Sequence, residues 1–401
     1  MPNTDQLKAH WNWLRQQIEA GKVVSAWSLS YGGVAEALVK MSMGNALGVN
    51  VTLSEKELFS LGYGSVVFEA TEALEGAQLL GEVAASGICI NGSTIGLEKL
   101  EAAYEGRYFG IYPPRVKPAF EAPVPAVKDE AFDKANLVYP GAPVEHPVVC
   151  LPVFPGSNCD YDTAKAFRKA GAEVRPFVFC NLTGEDVLRS IDELSKRIDE
   201  AHILAFCGGF SSGDEPDGSG KFIASVICNA KVSAAIGRLQ QRGGLILGIC
   251  NGFQALVKSG LLPYGKVGSL TPDSPTLFRN DINRHISLIA RTEVASTNSP
   301  WLAGFSKGEQ HSIAFSHGEG KFVVNPELAK ELFAKGQVAF RYLDNPNGSY
   351  YDIEGCLSPD GHILGKMGHS ERYEDNLFKN IAGNCSQPLF DNAVHYFRKD
   401  R

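Results

Sequence analysis

The nine cysteines of this 401-residue chain include no C-x-x-C pair. An odd, scattered set of thiols excludes a disulfide framework and a zinc-ribbon type of site, and it fits reduced cysteines in a cytoplasmic protein. No apolar run is long enough to span a bilayer, and the polar stretch from Met1 to His10 has no signal-peptide core. Positive charge is not in excess. With 38 Lys and Arg against 45 Asp and Glu the net charge is −7, which argues against nucleic acid or an anionic membrane as the main partner. A phosphate-binding P-loop is missing, as is any cluster of acids suited to magnesium–nucleotide. Asn91, Asn181 and Asn347 head glycosylation sequons, which carry no weight without a secretory signal.

What is present divides into three regions. Residues 1–112 mix helix and strand signals. Trp11, Leu14 and Ile18 fall at helical spacing, Val34 to Met43 forms a second helix after Gly32-Gly33, Ser65 to Ala70 reads as a strand, and Thr71 to Leu80 as a helix. Residues 113–145 hold a dense series of prolines and are expected to be an extended linker, free or packed on a neighbouring surface. From 146 to 401 strands and helices alternate. Strands are expected at Val148–Phe154, Glu173–Phe179, Ile203–Phe206 and Leu245–Ile249. Helices are expected at Asp160–Ala170, Glu185–Ile198 and Phe222–Arg238. The fold class is therefore α/β, a doubly wound, flavodoxin-like parallel sheet covered on both faces, preceded by an α+β segment. Ligands of such sheets bind at the carboxyl ends of the strands, where Cys207-Gly208-Gly209 and Cys250 both fall.

The run Leu245-Ile246-Leu247-Gly248-Ile249-Cys250-Asn251-Gly252-Phe253-Gln254 is an apolar strand leading through Gly-x-Cys-x-Gly into a helix from Phe253 to Ser259. This is the strand–turn–helix pattern of a nucleophile elbow with Cys as the nucleophile. A thiolate is the working form, and it calls for a nearby histidine. His369 is the candidate, because Glu371 lies two residues on. In an extended segment both side chains point the same way, so the carboxylate orients the imidazole. Amides of Asn251 and of the turn Gly208-Gly209-Phe210 are the candidate oxyanion donors. Cys159, Cys180, Cys228 and Cys356 are read as small buried hydrophobes. His202, His285, His311 and His395 are read as structural or surface residues. Asp214-Glu215-Pro216-Asp217-Gly218 lacks the alternating ligands and closing Glu of a calcium loop, so no metal site is assigned.

Five motifs occur in order: Phe154-Pro155-Gly156-Ser157-Asn158-Cys159-Asp160, Gly208-Gly209-Phe210-Ser211-Ser212-Gly213-Asp214-Glu215, Gly248 to Gln254, Ser316-His317-Gly318-Glu319-Gly320, and Gly368-His369-Ser370-Glu371-Arg372. On these motifs, residues 146–401 resemble the class I (triad) glutamine amidotransferase domain of the phosphoribosylformylglycinamidine synthases. The resemblance implies that Cys250 attacks the side-chain amide of glutamine and that His369, oriented by Glu371, protonates the departing ammonia. A γ-glutamyl thioester is then hydrolysed. It implies Gln254 and His317 as pocket residues, with Glu319 in the same loop. One departure is Cys207, where triad amidotransferases commonly carry proline. Ser25 to Leu38 resembles the C-terminal part of the synthetase domain of the same enzymes, with Tyr31 where Asp is usual.

A first segment of about 110 residues is too short for a whole synthetase half. The resemblance therefore implies a C-terminal piece of a larger enzyme. Glutamine and the remaining synthetase portion would be the partners, with no cofactor of its own. ATP and Mg²⁺ would be bound mainly outside this chain. A cysteine hydrolase or protease on a related sheet, and a catalytically silent docking module, are the competing readings.

Overall fold

In a computed structural model of the chain, residues 3–113, 116–128, 132–211 and 219–398 are described. The loop from Asp214 to Gly218 lies outside them. The chain divides into two compact units, Met1–Pro114 and Arg115–Arg401.

The first unit contains α1 (Thr4–Glu19), β1 (Val23–Ser28), α2 (Gly33–Asn45), β2 (Gly48–Val51), α3 (Glu55–Phe59), β3 (Val66–Ala70), β4 (Gly81–Ala84), β5 (Ile88–Ile90), β6 (Ser93–Ile95) and α4 (Leu97–Glu105). β1 pairs with β3, and β4-β2-β5-β6 form a second small sheet. Its core is modest: Ala37, Leu38, Val51, Leu53, Leu58 and Val67. The helix expected over Thr71 to Leu80 is not formed. A turn from Leu74 to Ala77 interrupts it, and Gly76 takes φ 91°, outside the helical region.

The second unit is built on a nine-stranded sheet. Its elements are β7 (Val148–Val153), α5 (Asp160–Lys169), β8 (Glu173–Val178), α6 (Gly184–Glu200), β9 (Ile203–Phe206), α7 (Lys221–Ile227), α8 (Ala230–Gln241), β10 (Leu245–Ile249), α9 (Asn251–Ser259), α10 (Leu261–Tyr264), β11 (Thr276–Arg279), β12 (Ile286–Val294), β13 (Gln310–His317), β14 (Glu319–Val323), α11 (Pro326–Ala334), β15 (Val338–Tyr342), β16 (Ile353–Leu357), β17 (Ile363–Lys366) and α12 (Leu389–Arg398). Among the described residues the sheet order is β13-β12-β15-β16-β17-β10-β9-β7-β8.

The half from β8 to β17 is parallel, as the alternating pattern requires. From β17 outward to β13 every pairing is antiparallel, an extension not foreseen from the sequence. β9, β10, β16 and β17 are buried at every position, so both faces of the central sheet are covered. α6 shows how the covering helices are specified. A Thr183–Asp186 capping box opens it, and Ile191, Leu194 and Ile198 form its buried face. The single helix expected over Phe222–Arg238 is two, α7 and α8, bent by 75°. Asn229 is extended and caps α8 with its side chain, which ends one helix and starts the next. No single described helix is long and apolar enough to cross a membrane.

Most of the proline-rich segment lacks regular structure, yet it is packed within the second unit. Phe120 stacks on Tyr350 at 3.9 Å and meets Tyr351 edge-on, and the Ala119 amide donates to Asp281. Tyr139 is buried against Tyr396 and Phe397. Phe120→Ala should cost about 1–2 kcal/mol of anchoring. Limited proteolysis should then cut within residues 116–128 several-fold faster, and an unchanged cleavage rate would contradict this anchoring.

Candidate active site

β10 ends at Ile249, and Cys250 turns the chain with φ 52° and ψ −105° before α9 begins at Asn251. A non-glycine residue in this region is strained by ~1–3 kcal/mol and needs its surroundings to hold it. The two flanking glycines supply that support by close approach. A Cβ on Gly252 would sit 2.1 Å from the carbonyl oxygen of Phe206 in β9, and one on Gly248 would meet Leu256 at 2.5 Å. The Cys250 amide donates to the Lys366 carbonyl at the end of β17, 2.8 Å away. The elbow is thus fastened to strands on both sides of β10.

Cys250 is 5% exposed and lines a cavity of about 220 Å³. Gly209, Phe210, Gln254, His285, His317 and Glu319 also line it, together with Arg279 and Arg284. A larger groove between α6 and α8, edged by Asp192, Lys231 and Arg238, has no cysteine or histidine in its lining. His285, read from sequence as structural or surface, is exposed and also lines the cavity, where its Nε2 pairs with Ser316 Oγ at 3.1 Å.

His369 and Glu371 meet as expected, with Nδ1 2.6 Å from Oε1. The route differs from the extended segment inferred from spacing. Ser370–Arg372 is a short 3₁₀ turn, which folds the carboxylate back onto the imidazole. Both side chains are buried. Burial opposes the imidazolium, but the Glu371 carboxylate, together with the Cys159 and Cys250 sulfurs as acceptors for the ring N–H groups, outweighs it and holds the His369 pKa well above its usual value. Burial likewise opposes the Glu371 carboxylate, and the His369 charge overcomes it, so its pKa is lowered.

A second buried ion pair braces the turn. Lys366 and Glu354 have fully buried side chains, with Nζ and Oε1 3.6 Å apart. Glu354 accepts the Gly368 amide at 2.7 Å, and Lys366 donates to the Gly368 carbonyl and Ser370 Oγ, each at 2.9 Å. Ser370 Oγ in turn donates to Gln387 at 2.6 Å. The residues on either side of His369 are therefore fixed, and its own amide donates to Ala314 in β13.

The remaining candidates divide by how their polar atoms are used. The Phe210 amide donates to the Gly156 carbonyl at 2.9 Å, which removes it as an oxyanion donor. Gly209 keeps its amide unpaired among the described residues. Gly208 is required for space, because a Cβ there would lie 2.8 Å from His369 Cε1 and 3.0 Å from Cys159 Sγ. The Asn251 side chain accepts from the Ser211 amide and donates to Gln254 Oε1. Gln254 Nε2 donates to the Glu319 carbonyl. Asn251 and Gln254 thus tie the start of α9 to the loop after β13. Glu319 accepts the Ser219 amide at 3.2 Å. His317 is fully buried, and its pKa falls to about 3, chiefly through burial and then through the charges of His369 and His285. Its Nδ1 faces Asn280 Oδ1 at 3.1 Å, so the neutral ring carries its proton there and leaves Nε2 as an acceptor without a partner among the described residues.

Three residues near the site escaped the sequence reading. Cys159, taken as a buried hydrophobe, is buried but lies 3.9 Å from His369 Nδ1 and 3.5 Å from Arg372 Nη2. Its place in the first of the five ordered motifs was the available signal. Lys366 and Glu354 gave none, since a charged residue at a strand end reads as exposed. Cys207 is a second thiol nearby, but burial pushes its pKa far up, which leaves it inert. Cys159, His369 and Glu371 are the group of described residues whose donor atoms converge closely enough for a metal, within 4.8 Å of one another.

The CobB/CobQ-like glutamine amidotransferase domain family matches residues 146–397. The chain belongs to this glutamine amidotransferase family. Among its relatives, the phosphoribosylformylglycinamidine synthase subunit PurQ of Cereibacter sphaeroides is 37% identical over 219 residues, 55% of this chain and 86% of that protein. The PurQ subunit of Roseobacter denitrificans is 34% identical over 238 residues, 59% of this chain and 93% of that protein. A solved structure described as PurLQS from Thermotoga maritima aligns over 63% of this chain and 99% of that one, at 28% identity and a TM-score of 0.47. The amidotransferase fold is the mixed sheet of the second unit.

Two outcomes follow from the buried charges. His369 contributes stability in full below the free-histidine value near ~6.5 and loses it as pH rises through its raised folded value, whereas Glu371 contributes above the ordinary carboxylate range and loses it as pH falls through its lowered value. The pair is therefore intact at neutral pH. NMR of the ring nitrogens should find His369 still protonated above pH ~6.5, and Glu371→Gln should return it to titrating at or below that value. Lys366→Met should cost about 3–5 kcal/mol by stranding the Glu354 charge, and Lys366→Met combined with Glu354→Gln should recover much of it. Equal melting losses in the single and double variants would contradict the pairing.

Proposed function

We propose that the second unit hydrolyses glutamine to glutamate and ammonia through a Cys250–His369–Glu371 triad. The ammonia is consumed in the ATP-dependent conversion of formylglycinamide ribonucleotide to formylglycinamidine ribonucleotide, a step of purine biosynthesis. The carrying observation is the strained Cys250 elbow opening on a small cavity beside a buried His369–Glu371 pair.

Cys250 Sγ, as thiolate, attacks the side-chain amide carbon of glutamine. The developing oxyanion is met by the Gly209 amide and by the amide of Asn251 at the start of α9. His369, held as imidazolium by Glu371, passes its proton to the departing nitrogen, and ammonia leaves. The γ-glutamyl thioester remains on Cys250. Water, deprotonated by the now neutral His369, attacks the thioester; glutamate departs and the thiolate–imidazolium pair is restored.

The size of the cavity supports glutamine as the substrate. At about 220 Å³ it is smaller than the ~300–1,000 Å³ of drug-sized sites and suits one amino acid, which separates this site from a peptide-binding groove. Glu319 and the two arginines at its rim, Arg279 and Arg284, supply charges of both signs for the ammonium and carboxylate of a free amino acid. The Nε2 acceptor of His317 suits an amide N–H, which an acid side chain lacks.

The synthetase chemistry, with its ATP and Mg²⁺, belongs to a separate portion of the enzyme with which this chain works, and residues 1–112 are a segment of that synthetase type. A cytoplasmic location fits the free thiols.

Incubation with radiolabelled glutamine followed by acid quench should trap a protein-bound thioester. Cys250→Ala should abolish it and lower glutamine hydrolysis by ~10³-fold or more with the fold retained. Retention of the adduct in that variant would overturn the triad. Glu319→Gln should raise KM for glutamine about tenfold or more while changing kcat less.

A further inference from the structure

Cys159 has no role in the chemistry described above, yet it sits against the group on which that chemistry turns. Its Sγ is 3.9 Å from His369 Nδ1, the same nitrogen that pairs with Glu371 Oε1. The sulfur, the imidazole and the carboxylate bring donor atoms within 4.8 Å of one another, and all three residues are more than nine-tenths buried. Glu371 Oε2 is also buried and has no hydrogen-bond partner among the described residues. One thiol, one imidazole and one carboxylate form a donor set of the kind that binds zinc.

We propose that Cys159, His369 and Glu371 form an inhibitory site for a soft divalent cation of the zinc class. Tetrahedral zinc holds sulfur and nitrogen ligands roughly 3.5 Å apart, close to the spacing of Cys159 and His369, and nitrogen and oxygen ligands roughly 3.3 Å apart. The His369–Glu371 pair must therefore open by less than about 1 Å. Three lone pairs, from Cys159 Sγ, His369 Nδ1 and a Glu371 carboxylate oxygen, form the bonds to the metal, and water takes the fourth position. The thiol proton and the Nδ1 proton pass to solvent; nothing is oxidised or reduced.

The consequence lies in the imidazole. With the metal on Nδ1, the ring retains its proton on Nε2 and has no free nitrogen to take another. It cannot cycle between imidazolium and neutral base, so the triad stalls while Cys250 itself is untouched. Arg372 lies 3.5 Å from Cys159 Sγ, and its charge opposes a cation. That limits the affinity and suits a reversible brake better than a permanent structural ion.

Cobalt(II) and zinc(II), each added alone to the full chain, test this. Cobalt should give a sulfur-to-metal charge-transfer band that persists in Cys250→Ala and is lost when Cys159→Ser or Cys159→Ala is added. The exposed Cys180 and Cys228 are retained throughout, so their contribution cancels in the difference. Circular dichroism checks that each variant is folded, and two replacements of Cys159 guard against one failing. A band that follows Cys250, or that is unchanged in the Cys159 variants, overturns the site whether or not the chain hydrolyses glutamine. The kinetic test rests on the glutaminase reading. Zinc should inhibit reversibly on chelation, and each Cys159 variant, normalised to its own uninhibited rate, should need about tenfold more zinc or greater. Unchanged zinc sensitivity would overturn the proposal.

Discussion

The close approach of α9 to β9 at Gly252 is the constraint on which the site depends. With 2.1 Å between a hypothetical Cβ and the Phe206 carbonyl oxygen, only glycine lets the helix start where it does. That position forces Cys250 into its strained conformation and places it in the lining of the cavity. The strain is local, ~1–3 kcal/mol, and is offset by a core in which β9, β10 and β17 are buried on both faces. The same elbow fixes the amide at the start of α9. In the proposed mechanism, nucleophile and oxyanion donor are thus set by one packing contact and need no further ordering when substrate arrives.

Behind the elbow, two buried ion pairs share one short stretch of chain. Lys366 and Glu354 clamp the backbone at Gly368 and Ser370, and His369 and Glu371 lie on that clamped backbone. Each pair carries a desolvation cost of several kcal/mol per ion before its attraction is counted, so neither is justified by stability alone. Burial pushes the Lys366 pKa down, and the Glu354 charge resists it. The arrangement places a rigid polar support under a loop that must hold an imidazole in one orientation.

Legibility in the sequence followed locality. The elbow was readable because glycines on both sides of Cys250 specify a turn within five residues. His369 and Glu371 were readable because they are two residues apart, although the turn that joins them was not. The parallel half of the sheet followed from alternating periodicity. The antiparallel half, from β12 to β16, depends on long-range pairing that periodicity does not encode. The break at Asn229 was missed because the apolar pattern of α7 and α8 runs on through it, and Thr71 to Leu80 was misread because one glycine outweighed its helical residues. Cys159 and Glu354 reach the site from other elements, and Lys366, three residues before His369, reads by itself as an exposed strand-end charge; single-residue reasoning treats all three as an ordinary thiol and ordinary charges. Phe210 was half right. It lines the cavity, while its amide is already used by Gly156.

The central claim is that Cys250 is a nucleophile in a pocket that recognises glutamine. Labelling with an electrophilic glutamine analogue, followed by peptide mass mapping with and without competing glutamine, tests both halves at once. The account predicts a single modified cysteine, Cys250, protected by glutamine, with the other eight thiols unmodified. Labelling spread over several cysteines, or modification of Cys250 that glutamine does not slow, would contradict it.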